Sequence, residues 1–217
     1  MFKFVRSCSV FTAIVCFFAV ASAHAQSPAV DRELSRTDLT FSVPFEMTGT
    51  TSGQVVNSQI VSTAAGFLAT LRYTRSPWVG AEMNYKKSRF TQNYTYTPFP
   101  YTKTDQLGVE TNVVEISWGY VAHTPSTYYG FKPFGGVGLG TVEFKPTPNG
   151  GEGLLRQFRA EYYWNLGADY TILNSHFGAR AQMRQLFYIA PDFGQSYLTS
   201  GAHTSSYEPS VGFFARF

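Results

Sequence analysis

Beyond residue 25 the chain has no cysteine; its only two are Cys8 and Cys16. With the first 25 residues removed, no disulfide can staple the remainder and no thiolate can hold a metal. Long apolar runs are missing as well. Only residues 10–20 form one, and nothing after it approaches the ~20 residues of a membrane-spanning helix. Charge is scarce, at 14% of residues, and the formal net charge is +3. Loss of Lys3 and Arg6 leaves 15 basic against 14 acidic side chains. That balance gives no electrostatic footprint for nucleic acid. No spacing suits a metal ion, and no glycine-rich loop suits a phosphate, so no cofactor is expected.

The N-terminus carries Lys3 and Arg6, then the apolar residues 10–20, then Ala23-His24-Ala25. This is the layout of a secretory signal peptide over residues 1–25, with Gln26 the first mature residue. Cys16 follows Ile14-Val15 rather than the small residues of a lipoprotein signal. The expected mature chain is 192 of the 217 residues, one domain's worth. Residues 26–37 read as a lead-in and residues 38–217 as the folded domain.

What the chain does have is aromatic side chains, 17% of residues, and strict alternation. Eight segments show period 2, which a helical period of 3.6 would scatter over all sides. The first, residues 38–48, sets Phe41, Val43 and Phe45 against Ser42 and Glu46. The second, residues 63–75, sets Phe67 and Leu71 against Leu68 and Arg72. The third, from Trp78, sets Met83 and Tyr85 against Glu82, Asn84 and Lys86. The fourth, residues 108–122, sets Ile116 and Trp118 against Glu115 and Ser117. The fifth, residues 131–145, is glycine-rich; Phe131, Val137 and Leu139 are assigned outward, opposite Lys132, Phe134 and Gly136. The sixth, residues 158–172, sets Tyr162, Trp164 and Leu166 against Arg159, Glu161, Asn165 and Asp169. The seventh, residues 177–189, sets Ala179, Ala181 and Met183 against Arg180 and Arg184, with Gln185 interrupting the apolar face. The eighth ends the chain, with Val211, Phe213, Ala215 and Phe217 on one parity.

A bilayer offers no water to backbone N–H and C=O groups, so strands can cross it only as a closed sheet. Eight strands enclose an interior that side chains just fill. The inward set Glu46, Arg72, Glu82, Glu115, Arg159, Glu161, Asp169, Arg180 and Arg184 contains both signs and is expected to form a hydrogen-bonded lumen network. Glu82, Glu115 and Arg180 are expected at its centre. Asn165→Asp is expected to be mild, with Arg180 or Arg184 in reach. Tyr73, Trp78, Tyr120, Phe131, Tyr170, Phe177 and Phe217 fall near one set of strand ends. Phe45, Tyr85, Phe158, Phe187 and Tyr207 fall near the other. Such belts suit two bilayer interfaces. Connections alternate short (76–77, 123–130, 173–175) and long (49–62, 91–107, 146–155, 191–204).

The signal peptide ending at Ala25, the cadence from Asp38, the segment Pro191-Asp192-Phe193-Gly194 and the terminal strand with its final Phe217 together resemble the OmpA/OmpX-type eight-stranded outer-membrane barrel family. The resemblance implies an all-β, antiparallel, up-and-down transmembrane barrel in the bacterial outer membrane, with both termini periplasmic. It implies that Val211, Phe213, Ala215 and Phe217 mark the chain for the barrel-assembly machinery. The expected role is structural or surface-interacting and non-enzymatic, in a monomer. A narrow pore or small-ligand carrier is one alternative. Another is an outer-leaflet lipid A-modifying enzyme, for which His203, Ser205 and Glu208 supply residue types but not a common parity. Lys86, Lys87, Arg89, Lys145 and Arg156 are candidate contacts to lipopolysaccharide phosphates. The segment 91–104 holds Tyr94, Tyr96 and Tyr101 and no acid, and reads as a loop.

Overall fold

The computed structural model describes residues 28–53, 56–97, 103–148, 153–173 and 176–217. The expected signal peptide lies outside them. Within the lead-in, Pro28–Leu34 form a short helix, α1, which belongs to a separate unit from the sheet.

The sheet strands are β1 (Thr37–Thr48), β2 (Val56–Val61), β3 (Ala64–Thr74), β4 (Val79–Tyr96), β5 (Asp105–His123), β6 (Phe131–Pro146), β7 (Gln157–Leu173), β8 (Phe177–Ile189) and β9 (His203–Arg216). Every pairing is antiparallel, and β1 pairs with β9 to close the ring. β2 and β3 both pair with β4, β3 along its first half and β2 along its last residues. They occupy one position in the ring, so the barrel has eight strand positions.

The stagger follows from the register. From Thr37 the pairs run through Tyr73, Ala81, Tyr120, Val137, Trp164, Gln185 and Tyr207, and return to β1 at Met47. The circuit climbs from residue 37 to residue 47, a shear of 10. At ~3.3 Å per residue over eight spacings of ~4.8 Å, the strands tilt by about 40°.

Outward and inward parities match the alternation in all eight segments, β6 included. Val137 and Leu139 are exposed on the wall, while Phe134 and Phe144 are buried. Inward glycines admit large rings. A Cβ on Gly138 would stand 2.5 Å from the Tyr163 ring, one on Gly167 2.5 Å from Phe134, and one on Gly178 2.4 Å from Phe214.

Two long connections prove shorter than expected. β4 and β5 pair without a break from Val79↔Ala122 to Tyr96↔Asp105, so residues 91–96 of the Tyr-rich segment, with Tyr94 and Tyr96, are strand, and Tyr101 lies outside the described residues. Its Thr, Tyr and Asn residues are polar but alternate, and Thr and Tyr favour a pleated surface. The connection 49–62 likewise contains β2. Both extensions stand at the end opposite Thr37 and Phe217, here the long-loop end; the other is the short-turn end.

Candidate functional site

The lumen holds two ionic clusters and, beyond them, an apolar zone. Nearest the short turns, Arg180 donates from Nε and Nη2 to the two Asp169 oxygens at 2.7 and 2.9 Å. Its Nη2 also reaches Asp38 at 3.1 Å, and its Nη1 reaches Thr40 at 2.7 Å. Arg72 donates from Nη2 and Nε to Glu82 Oε2 at 2.8 and 3.2 Å. The Phe134 ring faces both guanidinium groups, at 4.1 Å from Arg72 and 5.3 Å from Arg180.

The second cluster lies at mid-barrel. Lys86 Nζ meets Glu46 at 3.2 Å, Glu115 at 3.4 Å, and Glu208. Arg184 bonds Glu115 and reaches Glu208 Oε2 at 3.1 Å. Ser88 and Ser117 donate to Glu46 and Glu115 at 3.0 and 2.8 Å. Tyr163 joins the clusters. Its hydroxyl donates to Glu82 at 3.0 Å and accepts from Asn84 at 3.0 Å, while Arg184 sits 4.8 Å above its ring. Asn165 Nδ2 donates to the same Glu82 oxygen at 2.6 Å.

Four of these ion pairs join residues directly opposite in the register: Arg72↔Glu82, Lys86↔Glu115, Asp169↔Arg180 and Arg184↔Glu208. A buried ion pair is tolerable when geometry and extra hydrogen bonds satisfy both charges, and the sheet supplies that geometry.

Toward the long loops, charge gives way to Phe90, Tyr94, Val109, Val113, Val142, Phe144, Leu186 and Tyr188. Phe144 packs on Phe90 and Tyr188, with ring centroids 6.5 and 5.4 Å apart. The connection 190–202 folds over this zone and buries Phe193 and Leu198 in it. Tyr94 donates to the Pro191 carbonyl at 2.8 Å. Asp192 is held by Gln157, by the Gly194 N–H at 3.1 Å and by Arg159 at 3.4 Å.

Of the expected network, Glu46, Arg72, Glu82, Glu115, Glu161, Asp169, Arg180 and Arg184 are buried in the lumen. Arg159 is not; it is a quarter exposed at the long-loop end and pairs with Asp192. Glu161 is buried, yet neither carboxylate oxygen accepts a hydrogen bond among the described residues. Glu82, Glu115 and Arg180 do not form one centre: Glu82 and Arg180 lie in the short-turn cluster and Glu115 in the mid-barrel one. Shear decides this, and parity alone does not contain it.

Asp38 and Glu208 are additional members. Lys86 is a correction: it is 1% exposed and bonded to carboxylates, so it makes no lipid contact. Its parity was the signal. Glu208 is also removed from any set with His203 and Ser205, since it is buried in the ion cluster while His203 is exposed. Lys87, Arg89, Lys145 and Arg156 do stand on the outer wall. Arg89 pairs with Glu110 at 3.5 Å and Arg156 with Glu143 at 3.2 Å. Gln185 is accounted for: its Oε1 accepts the Trp164 indole N–H at 3.0 Å, which gives the indole a partner on an apolar face.

Both aromatic belts are on the wall, with Trp78, Tyr120, Phe131, Phe177 and Phe217 exposed at the short-turn end and Phe45, Tyr85, Phe158 and Tyr207 toward the other. β9 presents Val211 and Phe213 outward, and the Phe217 N–H bonds the Thr37 carbonyl at 3.2 Å.

Comparison with solved structures finds the same fold at low identity. Neisserial surface protein A matches with a TM-score of 0.55 at 13% identity, over 83% of this chain and 97% of that one. The outer membrane protein OprG from Pseudomonas aeruginosa matches with a TM-score of 0.53 at 14% identity, over 83% and 95%. No curated protein matches. The family model described as outer membrane protein beta-barrel domain matches residues 11–216, and with an eight-position closed sheet whose wall is apolar and belted by aromatic rings, the chain belongs to that family.

Proposed function

We propose that this protein stands in the outer membrane as a non-conducting, non-enzymatic barrel with a structural or surface-interaction role. Its termini and short turns face the periplasm, and its long connections face outward. One observation carries the reading: the lumen is filled in series by two interlocked ion clusters and an apolar zone. An ion entering from either end meets guanidinium–carboxylate pairs or a block of Phe, Tyr and Val side chains that offers it no replacement for water. The alternating connection lengths support the orientation. The outward face of β9, ending at Phe217, supports recognition by the barrel-assembly machinery.

The test is single-channel recording of the refolded protein in a planar bilayer. The expected record shows no stepwise conductance. Reproducible unitary steps, retained after repurification, would overturn the closed-lumen reading and favour a narrow pore.

A further inference from the structure

The outer wall is not charged evenly. Toward the long-loop end, the described cations of the outer wall are Lys87 and Arg89 on β4, Lys145 on β6 and Arg156 before β7, with Lys103 apart in the connection between β4 and β5, while β8, β9 and β1 show Phe187, Tyr207, Met47 and Phe45. Within the cationic sector two of the four side chains are already neutralised, Arg89 by Glu110 and Arg156 by Glu143. Lys87 and Lys145 are exposed and form no ion pair with a described residue. Both line one open groove, with Phe67 of β3 beside Lys87, Asn112 and Val114 of β5 between the two lysines, and Glu143 next to Lys145 on β6. Asn112 is held by Arg89, whose Nε donates to its Oδ1 at 2.8 Å.

The shear fixes the depth of this groove. A climb of ten residues over eight strands is slightly more than one residue per strand. With that correction Lys87 lies level with Phe45 and Tyr207 of the belt at the long-loop end. Lys145 lies about 10 Å nearer the loops. An ammonium at the belt and a second above it, with apolar side chains at their feet, match a lipid that carries phosphate on its headgroup and acyl chains below. Lys pairs with phosphate as a point charge, and near a low-dielectric boundary that attraction is strengthened.

We propose that this groove seats the phosphorylated headgroup of one outer-leaflet lipid of the lipid A type, with Lys87 and Lys145 as its cations and Phe67 and Val114 against its first acyl chain. The proposal rests on the outward orientation of the long loops, and it is independent of whether the lumen conducts.

The probe is bisphosphorylated lipid A offered to the detergent-refolded barrel, with retained lipid counted by native mass spectrometry. Phosphatidylcholine and inorganic phosphate are offered in parallel. One lipid A should remain bound, phosphatidylcholine should not, and phosphate should not displace it. The double variant Lys87→Ala/Lys145→Ala should lower retention at least tenfold while its gel mobility before boiling stays that of the folded barrel. Lys103→Ala, a cation outside the groove, should retain lipid A as the parent does. Equal retention by the double variant, equal binding of phosphatidylcholine, or an equal loss in Lys103→Ala would overturn the site. The conductance record can fail without touching this result, and the reverse holds.

Discussion

The two parts of the lumen are filled by opposite means. From the short turns to mid-barrel the interior is ionic, with each guanidinium answered by a carboxylate across one strand spacing. Beyond it, within the reach of Phe90, Phe144 and Tyr188, the interior is that of an ordinary soluble core. The ionic part is specified by register, since a slip of one residue would turn every charge to lipid. The apolar part is specified by volume, and rings of similar size could trade places in it. Four connections meet at the apolar end, and one of them, residues 190–202, contributes Phe193 and Leu198 to its packing. A loop can dock on an apolar surface without matching charge for charge, which explains why the soluble-like zone lies there.

The largest effects should come from breaking this contrast at its two centres. Arg184→Met removes the partner of Glu115 and of Glu208, leaving carboxylates buried beside Lys86 alone. A loss of ~3–5 kcal/mol is expected. Phe144→Ala opens a cavity in the apolar zone and should cost about 3 kcal/mol. The two differ in what rescues them. Adding Glu208→Gln to the Arg184 variant should restore part of the loss, because the stranded charge is then gone, while the same change added to Phe144→Ala should make matters worse. Denaturant midpoints of the refolded variants in lipid vesicles measure all four. Additive losses in the first pair would mean that the mid-barrel charges are solvated.

A smaller effect is expected on β7, where it also shows how far the sequence was legible. The alternation of Tyr162, Trp164 and Leu166 with Glu161, Asn165 and Asp169 is enough to assign faces, and Leu166 is on the wall while Asn165 is buried. Leu166→Arg near mid-wall should cost ~2–4 kcal/mol. What parity could not contain is the neighbour across the lumen. Asn165 was expected to accept a carboxylate because Arg184 and Arg180 share its face. In the register Arg184 is indeed opposite Asn165, but its guanidinium is taken by Glu115 and Glu208, and the Asn165 amide donates to Glu82. Asn165→Asp therefore sets two carboxylates together and should cost roughly 1–3 kcal/mol, not the near-neutral change that face assignment suggests. The same gap explains Lys86, whose inward parity was readable and whose three carboxylate partners come from β1, β5 and β9. Shear is a property of the closed ring, and no single segment carries it.

Asp192 ties the connection over the apolar zone by polar contacts, and its effect should be smaller again. Burial pushes its carboxyl up, but hydrogen bonds from Gln157, the Gly194 N–H and Thr199, with Arg159 nearby, outweigh that and hold it below the usual carboxylate range. A folded-state value below the unfolded one means the contribution is complete above ~pH 4 and is lost as pH falls through the lower folded value. Amide exchange at Gly194 should quicken over that acidic window. Asp192→Asn should show the quicker exchange at neutral pH with little further dependence. Because Phe193 remains buried, the connection should stay docked. If Asp192→Asn instead exposes Phe193 to quenchers, the polar contacts and not the apolar zone hold the loop.

The smallest expected effect is at Glu161. The described lumen buries seven carboxyl groups, Asp38, Glu46, Glu82, Glu115, Glu161, Asp169 and Glu208, against four cations, Arg72, Lys86, Arg180 and Arg184. Pairing cannot satisfy all seven, and the surplus is visible at Glu161, where neither oxygen is hydrogen-bonded within the described lumen. It sits across from Gly140 and Tyr188, at the border between the ion clusters and the apolar zone. A buried carboxyl without a bonded partner costs desolvation and gains no bond in return, so replacing it by an amide of the same shape removes a liability rather than a bond. Glu161→Gln should leave the denaturant midpoint unchanged or raise it slightly. Glu115→Gln, on the inward face of β5 and bonded by Arg184, Lys86 and Ser117, should lower it by ~2–3 kcal/mol. Two carboxyls of equal burial would then differ only in their partners. Should Glu161→Gln cost as much as Glu115→Gln, the border between the ionic and apolar parts is drawn in the wrong place, and Glu161 belongs to the network as a bonded member.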